Sequence, residues 1–495
     1  MTKTTALFRQ RWFLLLLLFA GSVAVRVLTA EYVDIGGDNS ARWAAVHRLV
    51  EGLGYTGWTH QTVRWSIAMQ IWAVMKLWGT NPMLYYVLPI LYASLGTLFI
   101  FLIGEELHSR GLGLAAAVLT MLFPQLAQTG SQLWPSVFIF AFVAASVWLI
   151  LVWLRTHASV LLLLAGASFF LAWGARETAA YFFPALLLLI WLPSRSFKGL
   201  FLFCLSSGLL FGCEWLYFWM DTGSLLGRMG VTKAALDHRG LPPLTLREYL
   251  GNILDYSKLR GLVAVFVLTL AAAAAELRSP DPRRRALGVL TLLFNLLSTY
   301  MLSSLHPPQF VHPIGSRYWC AGAPFGLVSL LLWLSDFRLR RPRAAMACSV
   351  VLFGAFAVFS LLKIPPVNSI VQVGRDARVM IPVLAEKKPF LMRYLAWQPN
   401  AVEQLAMGLF VKQPKERKPT QVPLFMARNQ DRVAALFVAD VRDYLGVAEA
   451  PSTPVDEAVY LVIPPGADPQ APPAAEVIFD RRLCQAVPLD GPSAP

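Results

Sequence analysis

The chain has 495 residues, of which 56% are hydrophobic and only 15% charged, and its mean hydropathy is +0.55. That is more apolar than a water-soluble globular chain carries, so the sequence reads as an integral membrane protein. The net charge of +14 does not call for nucleic acid, because the basic residues are spread over separate loops rather than gathered on one face.

Crossing a hydrocarbon core of about 30 Å takes roughly 17 to 25 residues of helix. About eleven stretches qualify on that measure, several at the short end: near 12–30, 82–103, 111–127, 135–154, 158–174, 178–193, 198–220, 261–276, 287–304, 318–335 and 344–362. The first has some signal-peptide character, with Lys3, Arg9 and Arg11 ahead of it and "LTA" before Glu31. Arg26 would interrupt the approach to a cleavage site, so the stretch is read as an uncleaved helix whose Arg26 snorkels to the far interface.

Short loops rich in Arg and Lys mark the cytoplasmic side. "PSRSFK" (193–198), "RSPDPRRR" (278–285) and "DFRLRRPR" (336–343) fall on one side, and a loop such as "QTGSQLW" (128–134), free of positive charge, falls on the other. The expected protein is therefore multi-pass in the inner or plasma membrane, with its N-terminus cytoplasmic. Loop 31–81, loop 221–260 and everything after about residue 363 lie outside. Residues 1–362 form the membrane domain on this reading.

The tail 363–495 gains Pro and charge and has no further spanning run. "TQVPLFMA" (420–427) and "EAVYLVI" (457–463) read as short strands, and "NAVEQLAMGLF" (400–410) and "DRVAALFVADVRDYL" (431–445) as helices. A small α/β extracytoplasmic C-terminal domain with a disordered end follows. The five cysteines are scattered, with neither a disulfide pattern nor a metal-spaced CxxC. No repeat period and no pair of matching halves of the transporter kind is present.

The first outer loop holds two candidate carboxylates. Asp34 and Asp38 follow directly on the first apolar run. Residues 39–53 place Trp43, Val46, Val50 and Leu53 on one side and Arg42, Arg48 and Glu51 elsewhere, as an interfacial amphipathic helix would. A second such segment runs over 64–79. Asp38 at the head of a helix also suits a plain N-cap, worth roughly 0.5 to 2 kcal/mol.

The run "DNSARWAAVHRLVEGLGY" (38–55), then Arg64, then "GEELHSRGLGLAAAVLTMLFPQLAQTGSQLWPSVFIFAF" (104–142) resembles the GT-C membrane glycosyltransferases. The branch is that of the protein O-mannosyltransferases and the lipid A aminoarabinose transferase, and the resemblance extends over roughly residues 10 to 335. It implies inverting transfer of one sugar, hexosyl or pentosyl, from a polyprenyl-phosphate donor to an acceptor hydroxyl of a lipid, glycan or protein at the outer surface. It also implies that Asp38 is the general base on that hydroxyl, with Asp34 the fallback. The leaving lipid phosphate is stable as an anion, so the paired carboxyls of a glycosidase are not required. Two positions depart from the family pattern. Asn39 stands where a Glu usually follows the Asp, and Ser136 occupies a region that is commonly acidic, so no metal and no cofactor is expected.

A lipid phosphate needs cations, and the arginine fork donates two hydrogen bonds at once. Arg64 matches a family position facing the donor phosphate, with an interfacial snorkelling arginine as the plain alternative. Arg317 and Tyr318 in "HPPQFVHPIGSRYW" (306–319) resemble the family's "RY" helix entry, and Arg176 with Glu177 in "WGARETAAYFFP" (173–184) matches positions lining its cavity. Ionisable groups at these depths must be paired or face a polar cavity, and a structural ion pair joining two helices is the plain alternative. His306 and His312, each followed by Pro and without a third ligand, suit loop or sugar contacts better than a metal. Arg228, with Lys233, His238 and Arg239, lies on a loop read as a mobile cover, or else as a solvated basic loop.

Three other functions remain: an oligosaccharide ligase or polymerase using a lipid pyrophosphate, a lipid or glycan transporter, and a non-catalytic assembly protein.

Overall fold

The computed structural model describes residues 3–30, 38–50, 62–79, 82–237, 262–299, 302–305, 308–310, 316–340 and 342–363. The proposed C-terminal domain, with its four predicted elements, lies outside these residues, as do Asp34, His306, His312, His238 and Arg239.

Helices dominate. In chain order they are α1 (Lys3–Leu28), α2 (Asp38–Val50), α3 (Trp65–Trp78), α4 (Val87–Leu107), α5 (Arg110–Leu122), α6 (Pro124–Thr129), α7 (Pro135–Thr156) and α8 (Ser159–Ala175). They continue as α9 (Phe183–Ser194), α10 (Phe197–Thr222), α11 (Arg228–Asp237), α12 (Leu262–Glu276), α13 (Pro282–Thr299), α14 (Ala323–Arg340) and α15 (Pro342–Lys363). Nine of the eleven predicted spans coincide in the main with a single one of these helices. Among the described residues five segments are both long and apolar enough to cross a membrane, at Arg11–Leu28, Leu84–Leu107, Pro135–Thr156, Glu177–Ser194 and Phe197–Thr222. The protein is a multi-pass membrane protein.

Two predicted spans need correction. The stretch 111–127 is two helices, because Pro124 forces the residue before it out of helical geometry and Phe123 is extended (φ −61°, ψ 116°). The stretch 287–304 stops being helical at Thr299, ahead of Pro307 and Pro308. Residues Leu302–Leu305 instead form β1, antiparallel to β2 (Pro308–Phe310), with Leu302 opposite Phe310 and Ser304 opposite Gln309.

The chain divides into two compact units, with the break falling inside α3. The first holds α1, the start of α3 up to Gln70, and α4 onward. Its helices meet through small residues and through hydroxyls bonded to neighbouring backbone, as helices do in lipid, where apolar burial drives nothing. A Cβ on Gly104 of α4 would stand 2.6 Å from the Cα of Gly113 on α5. Ser146 and Ser168 tie α7 to α8 by donating to the carbonyls of Ala165 and Phe142 (2.9 and 2.8 Å), and Ser206 of α10 donates to Leu163 of α8 (2.7 Å).

One end of this bundle is a belt of ion pairs. Glu105 at the foot of α4 meets Arg11 (2.9 Å) and Arg110 (3.1 Å), Glu106 meets Arg155 (3.0 Å), and Arg284 bridges Glu276 (2.7 Å) and Asp336 (2.6 Å). Predicted cytoplasmic loops 278–285 and 336–343 meet at this Arg284 bridge. At the opposite end Arg26 does not snorkel. It is fully buried and donates to the carbonyls of Met121 (2.9 Å) and Thr120 (3.5 Å), which the Pro124 break leaves short of helical partners.

Of the second unit the described parts are α2, residues 71–78 of α3, Gly79 and residues 82–85. Trp43 and Tyr85 meet edge to face within it, with ring centroids 5.7 Å apart. The amphipathic reading of α2 holds for Trp43 and Val46, but Arg42, expected on the polar side, is buried.

The belt yields two expected outcomes. Glu276→Ala strands the buried side of Arg284 and lowers stability by about 3 kcal/mol, read as a fall in the midpoint of thermal unfolding in detergent. At Asp281, burial opposes ionisation, but hydrogen bonds from the guanidinium and backbone N–H of Arg283 outweigh it and hold the carboxyl below its ordinary 3.8. A depressed folded value gives stability that is present above the unfolded value and is lost as pH falls through the folded one. Asp281→Asn therefore unfolds with a shallower acid limb than the parent, measured by melting from pH 6 downward.

Candidate functional site

Opposite the ion-pair belt, four elements of the first unit bring charges together. α8 ends at Ala175, Arg176 is extended, and a 3-10 turn at Glu177–Phe182 leads into α9. The carbonyl of Arg64 opens α3 by accepting from the N–H groups of Ile67 (3.1 Å) and Ala68 (3.2 Å). Ser66 ties that opening turn to the end of α8 by donating to the carbonyl of Leu171 (3.0 Å).

The centre of the cluster is Glu214, inside α10. Its Oε1 accepts from the indole N–H of Trp65 and its Oε2 from that of Trp173, both at 2.6 Å. Arg228, at the head of α11, stands 3.3 Å from Glu214 and 3.8 Å from Glu177. It donates to the carbonyls of Trp173 (2.8 Å) and Gly174 (3.2 Å), and its guanidinium lies over the Trp173 ring, 4.7 Å from the centroid. Thr232, one turn further along α11, donates to Glu177 (3.2 Å).

Arg228 and Glu214 retain only 2% and 7% side-chain exposure. A buried charge survives only when paired and hydrogen-bonded, and every element here contributes to that pairing. The charges of Arg228, Arg64 and Arg176 all bear on Glu177. Among the described residues three arginines thus stand with two glutamates, and guanidinium groups gathered in this way suit an anion.

The structure thus brings together Arg64, Arg176, Glu177 and Arg228 of the expected site. Arg64 is buried and Arg176 half-buried. Arg176 and Glu177 were also open to a reading as a helix-joining ion pair; the partner of Glu177 is instead Arg228, on α11. Arg228 itself is corrected from a loop residue to a buried one. Asp38 is the first residue of α2, in the second unit. Asn39 beside it is buried at 1% exposure, and neither amide atom has a hydrogen-bond partner. Arg317 and Tyr318 occupy the 3-10 turn Ser316–Ala321 that leads into α14.

Sequence reasoning missed Glu214, Trp65 and Trp173. The signal for the first was legible as a lone acid in the apolar run "LLFGCEWLYFWM" (209–220). The tryptophans gave none, since aromatic residues are ordinary in membrane helices.

Residues 66–217 match the profile of a family described as dolichyl-phosphate-mannose-protein mannosyltransferase. The resemblance to the GT-C membrane glycosyltransferases stands. The matched stretch begins just past Arg64 and Trp65, holds Arg176, Glu177 and Glu214, and ends before Arg228. Among solved structures the chain is similar to ArnT from Cupriavidus metallidurans bound to undecaprenyl phosphate, at 10% identity and a TM-score of 0.48, over 89% of this chain and 81% of that one. It is also similar to the archaeal oligosaccharyltransferase AglB from Archaeoglobus fulgidus in complex with an inhibitory peptide and a dolichol-phosphate, at 13% identity and a TM-score of 0.45. That alignment takes in 90% of this chain but only 61% of the archaeal one, so the chain spans about three fifths of that protein. No curated protein sequence matches the chain significantly.

The packing of this rim is tight enough to test. A Cβ on Gly174 would stand 2.6 Å from the ring of Trp65. Gly174→Val displaces Trp65 from Glu214 and costs about 1–3 kcal/mol, measured as lost thermal stability in detergent.

Proposed function

We propose that the chain transfers a single sugar, with inversion, from a polyprenyl-phosphate donor to an acceptor hydroxyl at the extracytoplasmic face of the inner or plasma membrane. The observation that carries this reading is the cationic cluster of Arg64, Arg176 and Arg228 around Glu177 and Glu214, in and beside the stretch that matches a family named for a lipid-phosphate sugar donor. On this reading the N-terminus is cytoplasmic and the ion-pair belt is the cytoplasmic end.

The chemistry assigns the roles. The donor phosphate, on a lipid embedded beside the helices, is held by Arg64 and Arg176 together with Arg317 at the entry to α14. Guanidinium forks suit its oxygens, and they stabilise the charge that grows on the phosphate as the C1–O bond breaks. Asp38 takes the proton of the acceptor hydroxyl as its oxygen attacks C1 from the opposite face, which inverts that centre. Tyr318, His312 and Asn39 contact sugar or acceptor, while Glu177 and Arg228 complete the wall of the site. The acceptor is a lipid, a glycan or a protein.

Native mass spectrometry of the gently purified protein tests the assignment. Wild type and Asp38→Asn should both retain a polyprenyl phosphate carrying one sugar, while Arg64→Ala and Arg317→Ala lose it. In membranes supplied with donor and acceptor, Asp38→Asn should reduce transfer by at least about a hundredfold, the scale of general-base catalysis. Undiminished transfer by Asp38→Asn would remove it as the base. A retained pyrophosphate-linked oligosaccharide would replace the donor class.

A further inference from the structure

Glu214 stands eight residues before the end of α10, so it lies roughly 12 Å below that end at 1.5 Å per residue. A carboxylate there is costly to the bundle. The aromatic side chains around it, Phe170 and Phe211, already pack on Trp65 and Trp173 at 5.2 and 4.9 Å and would hold these helices together without a charge. Apolar packing of similar volume is commonly as stable as a buried ion pair or more so. Joining helices therefore does not account for this acid.

What the acid does is orient. Its two oxygens take one indole N–H each, from Trp65 on α3 and Trp173 on α8, which fixes the plane of the carboxylate and the pitch of both rings. Trp65 directly follows Arg64, whose carbonyl anchors the opening turn of α3, so a Trp65 side chain held by Glu214 restrains the backbone from which Arg64 extends. Trp173 lies under the guanidinium of Arg228 and accepts from it through its carbonyl, and Arg228 in turn faces the same carboxylate at 3.3 Å.

We infer that Glu214 is a positioning residue for the donor site: through Trp65 it holds Arg64 in place for the lipid phosphate, and through Trp173 and direct pairing it fixes Arg228 as the wall beside it. The inference rests on the donor-phosphate reading of this rim. Glu214 does not touch the donor itself.

The test is the affinity of the full-length protein in detergent for undecaprenyl phosphate, compared among wild type, Arg64→Ala, Glu214→Gln, Trp65→Phe and the double variant Arg64→Ala/Glu214→Gln. Gln cannot accept from both indoles and carries no charge for Arg228. Trp65→Phe removes a single N–H and keeps the ring, which guards against a variant that fails to fold. Glu214→Gln and Trp65→Phe should each weaken binding by about tenfold, and Glu214→Gln should add little once Arg64 is gone, the coupling expected of groups that act through one another. The ultraviolet resonance Raman band that reports indole hydrogen bonding should shift in Glu214→Gln. Weakening by Arg64→Ala alone, with full affinity in the other two single variants, overturns the positioning role and leaves the donor reading intact. Additive losses in the double variant overturn it also, by making Glu214 a general support of the fold. Unchanged affinity in every variant overturns the donor reading and this inference with it.

Discussion

The organising constraint in this protein is a carboxylate and a guanidinium that cannot leave one another. Glu214 and Arg228 are shut away from water near one end of an apolar bundle, where an unpaired charge would cost several kcal/mol. Each must be satisfied by whatever the fold brings within reach. Two indole N–H groups, two carbonyls, an aromatic face and a second glutamate meet that need. They come from α3, α8 and the 3-10 turn after it, so the pair carried by α10 and α11 draws these separate pieces of chain to one place. Arg64 and Arg176 arrive there as neighbours of residues already committed to it.

The two ends of the bundle handle charge differently. At the belt, Arg11, Arg155 and Asp336 are partly open to solvent, and exposed pairs of this kind contribute little individually. Arg284 and Glu276, more deeply placed, are the exception. At the other end the helices are interrupted, at Phe123 before Pro124 and at Arg176 before the 3-10 turn. Irregular backbone at membrane depth persists only where protein or a polar cavity satisfies it. Arg26 does this for the carbonyls at the first break, and Arg228 does it for those at the second. Arginine at this end is thus both a structural donor and the side chain proposed to hold the donor phosphate.

Much of this was legible in the chain, for reasons that differ by residue. The spans follow from composition, since roughly twenty apolar residues have few other uses. The Arg176–Glu177 pair stood out because ionisable groups between two apolar runs demand a partner. Sequence could not name that partner. Arg228 lies 51 positions after Glu177 and looked like one more base in a hydrophilic loop; burial made it the centre of the site. Arg26 departs from its sequence reading for the related reason that snorkelling and capping a broken helix call for the same side chain, and only the position of the Pro124 break decides between them.

By itself the sequence determined that this is a multi-pass helical membrane protein, roughly where most of its apolar helices run, and that it resembles the GT-C glycosyltransferases. These follow from local patterns: apolar length and motifs in a fixed order. Tertiary structure decided which charges face one another, that Glu214 joins two tryptophans 108 positions apart along the chain, and that Gly174 is the residue allowing Trp65 to approach. Those contacts are made between helices, and a pairing across helices leaves no period or spacing in the chain, because its energy depends on which surfaces are brought within a few ångströms.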